Sequence, residues 1–122
     1  MPRTIASLQA GAVEPDIWKI EGLDAEEDAA AAVQHARSGG RGQVVCIVLG
    51  RGADWDSVVR WLQIGAGVPG FAGFALGRTL WHDPLVDHLA GRSTDTETAE
   101  VIADRYQKLI AVYNAADIGQ TR

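Results

Sequence analysis

The segment Asp16-Ile17-Trp18-Lys19-Ile20-Glu21 sets a lysine two residues from a glutamate inside a run of strand formers. Strand alternation puts Ile17, Lys19 and Glu21 on one face and Trp18 and Ile20 on the other. If the Trp18/Ile20 face meets a helical layer, Lys19 and Glu21 point away from it near the C-terminal end of the strand, where β/α barrels carry their catalytic groups. A lysine desolvated there has a lowered pKa and attacks a ketone to give an iminium, an electron sink for carbon–carbon cleavage. The same spacing also fits a lysine on a solvated face, or one paired with Glu21.

Two further segments end in Gly-Arg, as Gly50-Arg51-Gly52 and Gly77-Arg78. Glycine lets an anion approach the backbone amides and arginine adds a two-pronged donor, so neighbouring strand ends of this kind can cradle a phosphate. The alternative is that the glycines only turn the chain and the arginines form surface ion pairs. His82 follows Trp81 after the third strand and is either a site residue or a partner of Asp83. His35 and His88 lack metal-ligand spacing. Cys46 sits in the apolar run Val44–Leu49 with no base near it in sequence, and reads as a small core residue. No metal site and no cofactor are expected.

The elements that must position these groups are three short strands, Asp16–Glu21, Gln43–Leu49 and Phe71–Leu76, each followed by a helical pattern. That is the signature of consecutive βα units around a parallel sheet, an α/β fold. Asp24 with Glu27 reads as the capping box of the first following helix, which stops at Ser38-Gly39-Gly40. Asp54 caps a helix carrying Val58, Val59, Trp61, Leu62 and Ile64 that ends at Gly65 to Gly67. Asp83-Pro84 suits the first turn of a short helix through about Leu89. Thr94 with Glu97 opens a long helix in which Val101, Ile102, Arg105, Tyr106, Leu109, Ile110, Val112 and Tyr113 keep a 3.6-residue period. Residues 5 to 12 form another helix before the first strand.

The chain of 122 residues, 47% apolar and 22% charged, reads as a single globular domain, 1–122. Its net charge of −5 and scattered arginines argue against nucleic acid. A single cysteine excludes an intrachain disulfide, and no apolar run reaches membrane length, so the sequence reads as cytoplasmic with no membrane partner. A closed eight-stranded barrel needs about 250 residues. Three strands do not close one, and their open edges call for a partner or a cover.

The segments Glu14–Gly22, Cys46–Ala53 and Val68–Thr79 resemble the C-terminal domain of bacterial myo-inositol catabolism proteins, where it follows or accompanies a 5-dehydro-2-deoxygluconokinase domain. The resemblance runs along essentially the whole chain and covers the C-terminal part of that domain. The domain in turn is similar to the class I tagatose-bisphosphate aldolase family, whose barrel bears Asp-x-x-Lys-x-Glu on a strand. The matching residues are Asp16, Lys19 and Glu21, so the resemblance implies a partial TIM-type barrel with Lys19 as Schiff-base lysine and Glu21 orienting or polarising the imine. It implies phosphate binding by Gly77-Arg78 and by Gly50-Arg51-Gly52. The implied substrate is a ketose phosphate such as 2-deoxy-5-keto-gluconate 6-phosphate, cleaved to dihydroxyacetone phosphate and malonate semialdehyde. The family's acid/base glutamate lies on an earlier strand with no counterpart here, which leaves proton transfers worth about 10²–10⁴-fold in rate to be supplied from elsewhere. The expected partners are therefore a sugar phosphate and either further copies of the chain or a kinase or N-terminal barrel half. The alternative for a chain without that acid/base group is a non-catalytic fragment, or an oligomerising or sugar-phosphate-binding module.

Overall fold

Phe71 and Phe74 stand three apart in one strand, yet both pack on the helical side of the sheet. The cause is a one-residue irregularity: the register of the computed structural model, which describes residues 1–117, passes from Cys46 opposite Phe71 to Ile47 opposite Gly73, leaving Ala72 unmatched. A bulge of this kind turns the strand locally and resets which side chains face the core.

The element order is α1 (Pro2–Ala10), β1 (Ile17–Glu21), α2 (Glu26–Ala36), β2 (Val45–Leu49), α3 (Trp55–Ala66), β3 (Phe71–Ala75), α4 (Arg78–Leu89) and α5 (Asp95–Ala116). The strands are parallel and lie in the order β1-β2-β3. The fold is thus α/β, three parallel strands alternating with helices, as an open sheet rather than a closed barrel. Because each crossover steps the same way and such crossovers are right-handed, the helices collect on one face.

Two apolar clusters join the helices to that face. One gathers Ile5 of α1, the small residues Ala29, Ala32 and Ala36 of α2, and Ile20 and Cys46. The other gathers Val58 and Leu62 of α3, Leu80 of α4, and Leu109 and Tyr113 of α5 around Val48. Full burial of a side chain such as Leu62 or Leu109 contributes about 1.5–3 kcal/mol. On the opposite face Ile17, Lys19, Ile47 and Ala75 belong to neither cluster, and Ile17 is 53% exposed.

The Thr94–Glu97 capping box forms as read from the sequence: the Glu97 amide donates to Thr94 Oγ1 at 3.1 Å and the Thr94 amide to Glu97 Oε1 at 3.0 Å. The one expected at Asp24 does not. Ala25 is the N-cap of α2, and Asp24 instead accepts from Arg60 Nη2 at 2.9 Å and Trp61 Nε1 at 2.8 Å on α3. A carboxylate serves two charged or fixed donors across elements better than one amide of its own helix. The helix expected from Asp83-Pro84 begins earlier, at Arg78, with Gly77 as N-cap and Pro84 inside it. Leu80 and Pro84, one turn apart, are both buried, and burial of apolar surface works against the roughly 3 kcal/mol that an interior proline costs. The first helix likewise starts sooner than expected, with Pro2 in its first turn.

Candidate functional site

In the register of the sheet, Lys19 lies opposite Ile47 and Glu21 opposite Leu49, so both stand on the face away from the helices. Ile20 between them is buried and Trp18 is half-buried on the helical side. The side-chain alternation read from the sequence therefore holds. Lys19 is exposed, and among the described residues it forms no ion pair or side-chain hydrogen bond. Glu21 is paired with Arg51, not with Lys19.

Lys19, Arg51, Gly52, Gly77 and Arg78 together line a shallow cavity of about 360 Å³, completed by Leu49, Ala75, Leu76 and Trp81. Residues expected from three separate strand ends thus share one site. Glu21 reaches it through Arg51. Gly50 lies beneath it: the residue is buried, and a Cβ there would come within 2.4 Å of Leu76 Cδ2. Gly50 gives room for packing under the loop, while its carbonyl accepts from the Ala53 amide at 3.0 Å.

The loop after β2 carries two consecutive left-handed residues, Arg51 at φ 57° and Gly52 at φ 69°. For a residue with a Cβ that conformation costs about 1–2 kcal/mol. Arg51 is held there from both ends: its side chain engages Glu21, and its carbonyl accepts from Arg78 Nη2 at 3.2 Å. Thr79 Oγ1 also donates to the Ala53 carbonyl at 2.7 Å, binding the start of α4 to the same loop. The first amides of α4 have no acceptor within the helix and carry the positive end of its dipole, so the loop, the helix start and the two arginines make a surface suited to an anion.

On the other side of Arg78 lies a larger cleft of about 810 Å³ between the β2–α3 loop, α4 and α5. Arg78, His82, Arg105 and Lys108 supply its cationic or ionisable nitrogens, and Asp54 and Asp83 its carboxylates. Ser57, beside the Asp54 carboxyl, holds it below the ordinary carboxylate range. Neither Trp81 nor Arg105 is among the site residues that the sequence motifs point to. Arg105 did carry a signal: it occupies a position of the apolar period of the last helix, where a charged residue is out of place.

The remaining candidates have structural roles. His35 Nδ1 contacts the Ala31 carbonyl at 2.9 Å, and His88 lies between Asp95, at 2.9 Å, and the Ser93 carbonyl, at 3.0 Å. Cys46 is fully buried, and loss of hydration pushes its thiol up to about 11, although Arg37 acts weakly in the other direction. Among the described residues no group of three His, Cys, Asp or Glu side chains is placed to hold a metal ion, and no helix is long and apolar enough to cross a membrane.

No curated protein and no solved structure matches the chain. A family model does, over residues 1–117, nearly the whole length, and the chain belongs to that family, described as uncharacterised proteins conserved in bacteria (DUF2090).

Proposed function

We propose that the chain contributes the imine-forming and phosphate-holding part of a class I aldolase-like lyase acting on a ketose phosphate, with 2-deoxy-5-keto-gluconate 6-phosphate as the substrate that the sequence resemblance suggests. The observation that carries this reading is that Lys19 shares one cavity with Arg51, Gly52, Gly77 and Arg78, an amine facing an anion cradle. The chain has only two lysines, Lys19 and Lys108, and Lys19 is the one in mid-strand.

In the proposed reaction the Lys19 amine adds to the substrate ketone and water leaves, giving an iminium. The β-hydroxyl gives up its proton, the adjacent carbon–carbon bond breaks, and its electron pair passes to the iminium nitrogen as an enamine. Protonation of the enamine carbon and hydrolysis release dihydroxyacetone phosphate, the other product being malonate semialdehyde. Arg51 and Arg78 hold the phosphate, and Glu21 orients or polarises the imine. Proton transfer falls to a carboxyl group from additional strands of a longer polypeptide, a second copy or a kinase-bearing partner, which would also cover the open face and desolvate Lys19.

Borohydride reduction in the presence of dihydroxyacetone phosphate tests the imine. Peptide mapping should place a stable mass on Lys19, absent in Lys19→Ala. Labelling that goes to Lys108, or persists in the variant, sinks the proposal.

A second reading, a sugar-phosphate-binding module without chemistry, is favoured by the exposure of Lys19 and the engagement of Glu21 by Arg51. It expects phosphate-ester binding that Arg78→Ala weakens and no trapped adduct under any condition.

A further inference from the structure

Among the described residues three arginines are half-buried, and two of them are accounted for. Arg37 donates from Nε to the Val44 carbonyl at 2.8 Å, and Arg41 clasps the Glu14 carboxylate at 2.7 and 2.9 Å. Arg105 has no hydrogen bond or ion pair among the described residues, and it lines the 810 Å³ cleft. Withdrawing a guanidinium partly from water without a partner is unfavourable, and such groups are ordinarily matched by an anion or an acceptor.

The surroundings of Arg105 are built for the same purpose. Acidic residues outnumber basic ones in the chain, 16 to 11. The cleft reverses that balance, with Arg78, Arg105 and Lys108 against Asp54 and Asp83, and with His82 beside them. Of these cations Lys108 is tied to Asp104 at 2.9 Å and Arg78 to the Arg51 carbonyl, which leaves Arg105 as the one without a protein partner among the described residues. The first turn of α4, at Arg78 and Thr79, borders the cleft, so its helix amides reinforce the positive potential, whereas the start of α3 is covered by the Asp54 carboxylate. Its volume lies in the range of small-molecule sites, about 300–1,000 Å³, well beyond a bare phosphate ion. The half-buried Trp55 offers an apolar wall for the organic part of a ligand.

We propose that this cleft is a second anion site, taking a phosphate ester of a small organic molecule, with Arg105 as its principal cation and Lys108 and the start of α4 as supports. It shares only Gly52 and Arg78 with the cavity of Lys19, from which it is separated by the Arg78 side chain. The site stands whether or not Lys19 forms an imine.

The test uses the full chain and inorganic phosphate, followed by backbone amide and arginine Nε resonances. Phosphate should shift Gly52, Trp55, Thr79 and the Arg105 Nε signal. Arg105→Gln should weaken binding about tenfold or more, the loss of one charge-assisted contact. Lys108→Gln should weaken it less, and Arg92→Gln, which removes a surface cation that lines neither cavity, should leave it within twofold. Shifts confined to Leu49, Gly77 and Trp81, equal affinity for Arg105→Gln and wild type, or absence of shifts at millimolar phosphate would each overturn the site. Circular dichroism and thermal unfolding establish that both cleft variants remain folded, and Lys108→Gln gives an independent reading if Arg105→Gln unfolds.

Discussion

The Arg78 guanidinium, at the first turn of α4, donates from Nη2 to the backbone carbonyl of Arg51 at 3.2 Å. One side chain thereby fixes the left-handed loop after β2, borders the Lys19 cavity and borders the cleft of Arg105. The anion-binding readings of both cavities depend on that loop keeping its shape.

Gly52→Ala should therefore perturb both sites together. The position has φ 69°, and a Cβ would stand 2.8 Å from Arg78 Cζ. The strained backbone alone costs about 1–3 kcal/mol. Urea unfolding should show a loss of that size, and phosphate should bind more weakly in both cavities. Unchanged stability would mean that the loop can take another conformation freely.

Gly22→Ala should be more disruptive, because the end of β1 passes directly under an indole. A Cβ there would lie 2.0 Å from Trp61 Cδ2, so the ring must move. Moving it breaks the 2.8 Å hydrogen bond from Trp61 Nε1 to Asp24. Overpacking of this kind costs about 1–3 kcal/mol. A lower urea midpoint with altered tryptophan emission is the expected result.

At acid pH the carboxylates that work as acceptors should set the decline in stability. Asp24 is held below its usual range first by Trp61 and then by Arg60, Glu14 by Arg41, and Glu97 by the Thr94 amide and hydroxyl. A lowered native value means that the stabilisation is fully present above the ordinary carboxylate pKa values, 3.8 for Asp and 4.5 for Glu. It is lost as the pH falls through the lowered native values. Thermal midpoints measured from pH 6 down to pH 2 should fall in that window, and Trp61→Phe should flatten the part due to Asp24.

Cys46 carries the opposite sign. Burial raises its thiol from 9.0 to about 11, so the fold prefers the neutral form. Stability is retained below pH 9, and it declines between 9 and about 11 as the unfolded chain ionises first. Iodoacetamide should modify Cys46 slowly in the native protein and quickly in urea. Cys46→Ala should remove the part of the alkaline decline due to this thiol, at a cost in packing near neutral pH.

Removing the capping box is expected to act locally. Thr94→Ala deletes the acceptor for the Glu97 amide and should cost about 0.5–2 kcal/mol. Hydrogen exchange should quicken in the first turn of α5 while the amides of β2 keep their protection.

What the sequence by itself determined are the features fixed by near neighbours along the chain. The alternation of strand and helix, the face on which Lys19 and Glu21 stand, the buried state of Cys46 and the Thr94–Glu97 cap all follow from periodicity or from spacings of a few residues, which need no knowledge of what lies opposite. Only the tertiary structure decided which partner each polar group takes. Asp24 has the spacing of a helix cap but finds Trp61 and Arg60 on another helix, because the loop after β1 meets α3 there. Glu21 pairs with Arg51 instead of Lys19, because the parallel register brings the end of β2 beside it. The extra residue at Ala72 turns Phe71 and Phe74 to one side, which strict alternation does not foresee. Arg105, an irregularity in an apolar stripe, becomes a candidate ligand group only when α5 lies across the starts of α3 and α4. In each case the choice depends on distances between residues far apart in sequence, and packing of the two apolar clusters sets those distances.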